Sequence, residues 1–311
     1  MSGKIFPEFD QYISPAGDVF NFDGMFKFNY SIDGLGFPDI DYISQQGPFQ
    51  HGVSIIDYRL KSRIIQMQFS EYANTRWDYW EKRAQFIDMF RPNRHSLHSF
   101  GPGSLRKNFP DGSAREIKVH LDQGPKFILR NLDTWQETSL LDSIRFIAPD
   151  PTFFDPELHS VLLNTEFTDH LLFPFSFQEP DMLFGAGWGV GLKSIFYEGT
   201  WGTFPTVVLG GPYDNVKVMN LSTGEQITLT RSIYEGETIT MDLSYGNKTV
   251  TNENGENFIG LVTSDSDLAT FHIAPDPEVD CGLNRIKVFG AVVGLGNSFA
   301  RLDYYDRYIG I

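Results

Sequence analysis

The sequence predicts a mainly β protein with one amphipathic helix, built as an N-terminal β domain followed by a C-terminal antiparallel β-sandwich. Three observations support this fold class. A helical period of apolar residues is clear in one stretch, near residues 71–91. From residue 200 onward, short alternating segments are separated by turn residues, with no helical period. Between them, the Pro-rich stretch 148–156 is incompatible with a helix and rigid enough to separate two domains.

Strands dominate the sequence before the helix. Residues 1–57 mix Phe and Tyr with Gly, Pro and Asp in short alternating stretches, which is typical of strands. In the stretch 63–69, Ile65, Met67 and Phe69 alternate with glutamines. Because successive side chains of a strand point to opposite faces, this pattern predicts a half-buried strand with one apolar face inward.

The helix predicted near 71–91 is amphipathic. Ser70 can act as its N-cap, and Pro92 ends it. One apolar stripe consists of Ala73, Trp77, Trp80, Ala84, Ile87 and Phe90. A second stripe consists of Tyr72, Tyr79 and Phe86. The apolar arc is therefore wide, and two interpretations follow: the helix packs wholly against the adjoining sheet, or one flank faces another subunit.

The order of turns and strands divides the chain into three segments. The N-terminal domain is expected to span residues 1–160, with further strands after the helix. Residues 161–199 are rich in Phe and Gly, with glycine at every second position from 185 to 191, and are expected to form an irregular connector. Residues 200–311 are expected to form the sandwich.

Hairpin signals support the sandwich. Tight turns are predicted at Gly224 and at Gly246, each flanked by alternating segments. The last strand carries Ala300, Leu302 and Tyr304 on one face, so this face should point into the core.

Composition excludes several classes of protein. The chain has 311 residues, enough for two cores, with 41% hydrophobic and 21% charged residues, which is ordinary for a globular protein. A single cysteine excludes an internal disulfide and a multi-cysteine zinc site. No run approaches the roughly 18 apolar residues of a membrane helix, and the start lacks the apolar core of a signal peptide. We therefore expect no membrane insertion and no secretion by that route.

Charge is unevenly distributed. The formal net charge of −15 argues against general nucleic-acid binding, which needs a basic surface. Residues 59–130 carry 14 Lys and Arg against 7 Asp and Glu, an excess of +7 that leaves −22 on the remainder. The basic segment either faces an acidic partner or is a solvated face.

Residues that could carry out chemistry do not form a recognisable motif. His95 and His98 lie three apart in a loop and lack the glutamate of a helical zinc motif. Asp276, Glu278 and Asp280 alternate with prolines in an extended segment, unlike a Gly-centred calcium loop. These patterns predict no metal site.

Signals for catalysis are equally weak. The glycines from 185 to 191 are not placed between a strand and a helix as a phosphate loop requires. Cys281 precedes Gly282 in a turn and has no neighbouring base in the sequence. No pair among the 40 carboxylates is distinguished by its surroundings. The sequence predicts no enzyme and no cofactor.

Trp188, Tyr197 and Trp201 leave one binding alternative open. These aromatics could form a sugar-stacking platform on a sandwich, with Trp188 and Trp201 as glycan contacts, or they could pack the Gly-rich connector. A carbohydrate-binding adhesion module is thus an alternative function, and a cell-wall hydrolase is a third.

The turn chemistry resembles that of a known family. The segments that carry the resemblance in the second half are Thr200-Trp201-Gly202-Thr203-Phe204-Pro205, Gly210-Gly211-Pro212, Asn220-Leu221-Ser222-Thr223-Gly224-Glu225, Gly236-Glu237, Tyr245-Gly246-Asn247-Lys248-Thr249-Val250 and Gly282-Leu283-Asn284-Arg285-Ile286. Those in the first half are Gly34-Leu35-Gly36-Phe37-Pro38, the strand 63–69 with the following helix, and Ala148-Pro149-Asp150-Pro151. In this order they resemble the distal tail proteins of siphophages, known as the phage tail family.

The resemblance implies a structural role. Members form a six-fold ring at the distal end of a non-contractile tail, with the N-terminal domain making the ring and a galectin-like C-terminal domain projecting outward. By this resemblance the partners are other copies of the chain, the tail tube protein, the tail tip or hub protein and receptor-binding components. The protein would be made in the host cytoplasm and reside in the virion, at the tail tip.

Candidate residues for the subunit interface are aromatic. A ring needs two different complementary surfaces on each subunit. We expect Tyr72, Trp77, Tyr79 and Trp80 on the helix flank to form one of them, together with the hairpins between 100 and 130, because aromatics and arginine are enriched in interfaces.

Overall fold

The structure is a computed structural model. It describes residues 9–22, 26–27, 31–71, 75–91, 101–126, 140–163, 166–167, 187–292 and 298–311. Two compact units divide the chain. The N-terminal unit comprises Met1–Pro156 together with Tyr308–Ile311, and the sandwich unit comprises Glu157–Arg307. The N-terminal unit is therefore discontinuous in sequence, because the last residues return to it.

The described residues form one α-helix, α1 (Arg76–Met89), and a series of strands. In chain order the strands are β1 (Gln11–Ile13), β2 (Val19–Asn21), β3 (Phe26–Lys27), β4 (Ile32–Asp33), β5 (Ile40–Gln45), β6 (Ser54–Leu60), β7 (Arg63–Glu71), β8 (Gly103–Asn108), β9 (Ala114–Gln123), β10 (Leu140–Ala148), β11 (Phe153–Phe154), β12 (His159–Leu163), β13 (Glu166–Phe167), β14 (Gly187–Phe196), β15 (Thr206–Gly210), β16 (Tyr213–Asn220), β17 (Gln226–Ile233), β18 (Thr238–Asp242), β19 (Thr249–Asn252), β20 (Leu283–Val292), β21 (Phe299–Tyr304) and β22 (Arg307–Tyr308). Single 3₁₀ turns lie at Ile259–Leu261 and Asp280–Gly282.

A large antiparallel sheet forms the body of the N-terminal unit. Its strand order is β2-β1-β8-β9-β10-β7-β3, with β4 on β7 and with β11 on β9 and β22. The predicted strand within β7 is confirmed: Ile65, Met67 and Phe69 are buried. Opposite them on β10, Phe146 pairs with Ile65 and Ile144 with Met67. The apolar alternation of both strands thus faces one core.

Helix α1 is shorter at its start than the sequence predicts. Ser70 and Glu71 belong to β7 and pair with β10, so the strand continues past the predicted cap. The helix begins at Arg76, where the Thr75 side chain accepts a hydrogen bond from the backbone amide of Asp78 at 3.1 Å. Thr75 therefore provides the N-cap that was assigned to Ser70.

The sandwich unit consists of two five-stranded sheets. Their orders are β12-β21-β15-β18-β19 and β13-β14-β20-β16-β17. The predicted hairpins are present, because β16 pairs with β17 around Gly224 and β18 pairs with β19 around Gly246. Ala300, Leu302 and Tyr304 are buried in the core, as the alternation predicts. The mainly β fold class with antiparallel sheets is confirmed.

The glycine-rich segment differs from the expected connector. Residues 187–196 form β14, a ten-residue strand that pairs along its length with β20. Glycine at every second position has the period of a strand, so Gly187, Gly189 and Gly191 share one face of β14. The rest of the predicted connector is described at 161–163, in β12, at 166–167, in β13, and at 197–199.

Candidate protein-protein interface

A separate two-stranded hairpin projects from the N-terminal unit. Strands β5 and β6 pair only with each other, in the register Ile40–Leu60 and Tyr42–Tyr58, with an irregularity between Ile43 and Ser44. We call residues 39–62 the hairpin arm. Its two ends meet where the amide of Lys61 donates to the carbonyl of Asp39 at 2.8 Å.

The hairpin arm is apolar and uncovered. None of residues 39–62 is buried, although buried residues flank the arm on both sides. The large apolar side chains exposed on it are Tyr42, Phe49, Val53, Ile55, Ile56 and Tyr58. Their exposed fractions range from 49% at Tyr58 to 104% at Phe49. An isolated two-stranded hairpin is marginally stable in water, and exposed apolar strands are templates for another chain. The arm thus has the composition of a contact surface.

The helix presents a second aromatic surface. Trp77 is 80% exposed and Trp80 is 46% exposed, and the Arg83 guanidinium lies 4.8 Å from the Trp80 ring centre. Trp77 and Trp80 are therefore not packed into the core of their own unit, contrary to the interpretation in which the helix packs wholly against the sheet. Phe86, from the second stripe, and Phe90, from the same stripe as the two tryptophans, face the core instead.

The side chains of two of the aromatic residues predicted on the helix flank lie outside the described part of the structure. Tyr72 lies outside the described residues, and Tyr79 is within α1 but its side chain is not described. The described, exposed members of this candidate surface are Trp77 and Trp80, which we call the tryptophan face.

The predicted hairpin between 100 and 130 is part of the large sheet. Strand β8 pairs with β1 as well as β9, and β9 pairs in addition with β10. Charged residues of this region also have partners of opposite charge within the unit: Arg106 contacts Glu116, Lys107 lies 4.0 Å from Asp10, and Asp122 contacts Arg145 of β10 at 2.5 Å. Both outer edges of this hairpin are thus paired within the unit.

A charged cluster stabilises one end of the sandwich unit. His272 contacts Glu225 through Nδ1 at 3.0 Å and Glu278 through Nε2 at 2.8 Å. Burial alone would lower the pKa of His272, but hydrogen bonds and charge, chiefly from Glu225, outweigh it and raise the pKa to about 9. Burial alone would raise the pKa of Glu225, but His272 lowers it. The cluster is an ion triad with both carboxylates satisfied.

Beneath this triad lies a buried amide pair. The Asn220 amide donates to Asn284 Oδ1 at 3.0 Å, and the Asn284 amide donates to the carbonyl of Ala274 at 2.8 Å. Asn220 also donates to the carbonyl of His272 at 3.0 Å. Buried amides with satisfied hydrogen bonds fix loop geometry, so this region is structural rather than reactive.

The residues considered for chemistry remain separate. In the described part of the chain no group of three His, Cys, Asp or Glu residues could hold a metal ion, and His95 and His98 lie outside it. Cys281 is exposed, and a hydrogen bond and charge from Asp280 raise the pKa of its thiol, which disfavours the reactive thiolate. Across the same residues, no helix is both long and apolar enough to cross a membrane.

The structure defines the backbone positions of the two tryptophans considered for glycan contact. Trp188 lies in β14 opposite Ala291, and its side chain is not described. Trp201 forms an isolated bridge with Arg307, and its carbonyl accepts a hydrogen bond from the Tyr197 hydroxyl at 2.6 Å. This contact gives the backbone of Trp201 a structural role.

Sequence reasoning missed the hairpin arm. The signal was present in the closely spaced apolar residues Ile55, Ile56 and Tyr58, which occupy both faces of β6, with Val53 just before it. A strand that is apolar on both faces is buried on both or meets a partner. Coverage by the rest of the chain is a tertiary property, so the pattern alone did not distinguish these cases.

Comparisons with known proteins define the class. Residues 198–282 match the family described as Siphovirus-type tail component, C-terminal domain. The match covers the larger part of the sandwich unit. No curated protein matches the chain.

Solved structures extend the likeness to the whole chain. The crystal structure of the Dit protein of phage SPP1, titled a paradigm of hub adsorption apparatus in phages that infect Gram-positive bacteria, is similar with a TM-score of 0.58 and 10% identity. The likeness covers 96% of this chain and 98% of that chain. The activated phage P2 baseplate with Ca gives a TM-score of 0.44 at 9% identity, over 94% of this chain and 97% of that chain.

The family match and the shared fold support one identification. Residues 198–282 match the C-terminal domain of siphovirus-type tail components, and the chain as a whole shares the fold of the SPP1 Dit protein. The resemblance found in the sequence is confirmed.

Proposed function

We propose that this protein is a non-enzymatic structural component of a phage tail that assembles into a hexameric ring at the distal end of a non-contractile tail. The ring joins the tail tube protein to the tail tip or hub protein and carries receptor-binding components. The family match at residues 198–282 supports the tail location in the virion. The observation that carries self-assembly is the hairpin arm, whose apolar residues are uncovered within the subunit.

The ring contact that we propose joins two different surfaces. The hairpin arm of one copy packs its apolar residues on the tryptophan face of the next copy. Each subunit thus offers one arm and one tryptophan face, and such a heterologous interface closes into a ring when the rotation between subunits permits. Tyrosine and tryptophan supply large contact areas with few rotatable bonds, and Arg83 beside Trp80 adds a cation at the edge.

Burial of this apolar surface supplies the driving force. Each fully buried large side chain contributes about 1.5–3 kcal/mol relative to exposure, and association offsets part of this through lost translational freedom. Several such residues are therefore needed, and the arm and the tryptophan face provide them.

The test compares the wild type with two matched lysine variants. Tyr58→Lys places a charge on the arm, and Leu162→Lys places one on β12 of the sandwich unit, where the residue has the same exposed fraction of 49%. Molar mass is measured by light scattering across a concentration series, and the same fractions are imaged by negative stain. We expect rings for the wild type and for Leu162→Lys, and monomers for Tyr58→Lys.

Isolated tail tubes serve as a template in a parallel series. If the wild type stays monomeric at every concentration and also forms no ring on tail tubes, the proposal is wrong. If Tyr58→Lys forms rings as readily as Leu162→Lys, the arm is not the contact.

A further inference from the structure

The last residues of the described chain are built into the N-terminal unit. The guanidinium of Arg115 lies 3.8 Å from the Tyr308 ring centre and donates to the carbonyl of Gly310 at 3.1 Å. The amide of Ile311 donates to the carbonyl of Leu35 at 3.2 Å. Together these contacts dock residues Tyr308–Ile311, which we call the C-terminal clasp, onto the unit that bears the hairpin arm.

Arg63 connects the C-terminal clasp to two other segments. Its side chain donates to four backbone carbonyls: Gly34 and Gly36 at 2.6 Å each, Pro151 at 2.7 Å and Ile309 at 2.6 Å. Only 3% of Arg63 is exposed, and its guanidinium lies 4.8 Å from the Phe153 ring centre. A buried cation thus holds three stretches of chain that are far apart in sequence.

The same arginine lies at the base of the hairpin arm. Gly34 and Gly36 precede strand β5, and Arg63, the first residue of β7, lies three positions after the end of β6. Its bonds to the two glycine carbonyls therefore join the chain entering the arm to the chain leaving it. The Asp39–Lys61 backbone bond closes the arm just above this point. We call the chain entering the arm and the chain leaving it the two stems. The direction of the arm depends on how these two stems are held.

Burial makes this arrangement sensitive to the loss of one partner. A guanidinium has five donors and remains charged in proteins, so each donor away from water needs an acceptor. Burial lowers the pKa of Arg63 to about 10. If the carbonyl of Ile309 is removed, one N–H group of the buried Arg63 guanidinium loses its acceptor. A buried cation with an unsatisfied donor is much less favourable than one whose donors are all hydrogen-bonded.

The fit around the stems is also close. Gly34 has a φ of +93°, and a Cβ there would overlap the carbonyl oxygen of Ile64. A Cβ on Gly310 would lie 3.0 Å from the carbonyl oxygen of Leu35. Glycine therefore allows the C-terminal clasp and the entering stem to approach each other closely.

We propose that the C-terminal clasp, acting through Arg63, fixes the two stems of the hairpin arm, so that the arm takes its working position only after the clasp has docked. Arg63 is a positioning residue in this account. Since residues 308–311 are synthesised after the sandwich unit, the N-terminal unit is completed last, and chains that end before residue 308 do not assemble. The statement about assembly rests on the proposed function, whereas the statement about the stems does not.

The experiment measures amide hydrogen exchange of the full chain at a concentration where it is monomeric. Four proteins are compared: the wild type, a deletion of residues 308–311, Arg63→Ala, and Arg59→Ala as the matched control. Arg59 lies on β6 and is exposed, so its loss removes an arginine without touching the stems. We expect faster exchange in peptides covering 31–38 and 61–68 for the deletion and for Arg63→Ala, and wild-type exchange for Arg59→Ala.

Two additions keep the test decisive if the deletion unfolds the N-terminal unit. Gly310→Val weakens docking by steric contact alone and should give the same pattern more mildly. A synthetic peptide with the sequence of residues 305–311 should restore slow exchange at the stems of the deletion variant. Unchanged exchange of the sandwich strands shows that the rest of the chain is intact.

The outcomes separate the two proposals. If the deletion and Gly310→Val both leave exchange at the stems unchanged, the clasp proposal is overturned. If only Arg63→Ala speeds exchange, Arg63 stabilises the stems independently of whether the C-terminal clasp is docked. This result also overturns the clasp proposal. If the stems respond but the wild type never forms rings, the clasp proposal stands and the proposed function fails.

Discussion

Two hairpins of the same type have opposite surroundings in this molecule. In the sandwich unit, β16 and β17 pair with each other, and Val216, Val218, Ile227 and Leu229 are fully buried. In the hairpin arm, β5 and β6 pair just as regularly, yet none of their residues is buried. The first hairpin is stabilised by the core of its own unit, and the second carries its apolar residues on the outside.

The two hairpins differ in what covers their apolar faces. Apolar alternation predicts that a segment forms a strand, but the partner that covers the apolar face need not belong to the same subunit. Where the chain leaves such a face uncovered, the missing partner is a second molecule. In this protein the sandwich hairpin is covered by the core of its own unit, and under the proposed function the arm is covered by another copy of the chain.

The largest effect on stability should come from a buried residue of helix α1, and an exposed residue of the same helix provides the comparison. Phe86→Ala removes a fully buried ring and should lower the stability of the N-terminal unit by about 3–5 kcal/mol. Trp80→Ala changes a side chain that is about half exposed and should cost less than about 1 kcal/mol in the monomer. Thermal melting of both variants checks this, and equal losses would contradict the assigned helix orientation.

The second prediction compares the two hairpins directly. Leu229→Ala in β17 should destabilise the sandwich unit by about 2–5 kcal/mol, because it leaves a cavity in a closed core. Ile55→Ala in β6 should change monomer stability by less than about 0.5 kcal/mol. Urea titration at a monomeric concentration provides the comparison. A loss of several kcal/mol for Ile55→Ala would mean that the arm is covered within the subunit.

The third prediction concerns pH and applies to the sandwich unit. The folded pKa of His272, about 9, lies above its ordinary value of 6.5. The ion triad therefore stabilises fully below pH 6.5, and its contribution declines as pH rises through 9. The loss should be on the order of 2 kcal/mol, less than the full shift implies because the cluster is partly screened by water. Melting temperatures between pH 6 and 10 measure it.

His272→Gln should flatten this dependence, since glutamine does not titrate. His120→Gln in β9, which belongs to the N-terminal unit, is the matched control and should keep the wild-type profile of the sandwich transition. If His272→Gln retains the full decline above pH 7, another group is responsible.

The smallest expected effect is a change in the labelling rate of an introduced cysteine. Ser54→Cys places a thiol on the exposed strand β6, and the exposed Cys281 of the sandwich unit is an internal reference. Maleimide labelling of the new thiol should slow as protein concentration rises and arms become covered, whereas labelling of Cys281 should not change. Parallel slowing at both sites would indicate general aggregation rather than a specific contact.

Much of the fold could be predicted because it is local. Period-two alternation in 63–69 and 300–304 and the turns at Gly224 and Gly246 depend on neighbouring residues, and the structure confirms them. The glycines of β14 had the strand period too. Glycine is uncommon in strands, and this composition led to the connector interpretation.

What could not be predicted depends on distant segments. Either stripe of helix α1 could have faced the core, and the sheet beneath it selected Phe86 over Trp80. The role of Arg63 requires carbonyls from residues 34, 36, 151 and 309, which no local pattern brings together. The proposed interface depends on distant segments too, because exposure of the hairpin arm is visible only once the rest of the fold is known.

The most direct test of the account is amide exchange of the two hairpins as a function of protein concentration. We predict that exchange in residues 40–45 and 54–60 slows as molar mass rises, because the edges and faces of the arm become covered by another copy. Exchange in β16 and β17 should stay constant over the same series. If the molar mass rises while exchange in the arm remains as fast as in the monomer, the arm is not the assembly surface and the central claim is contradicted.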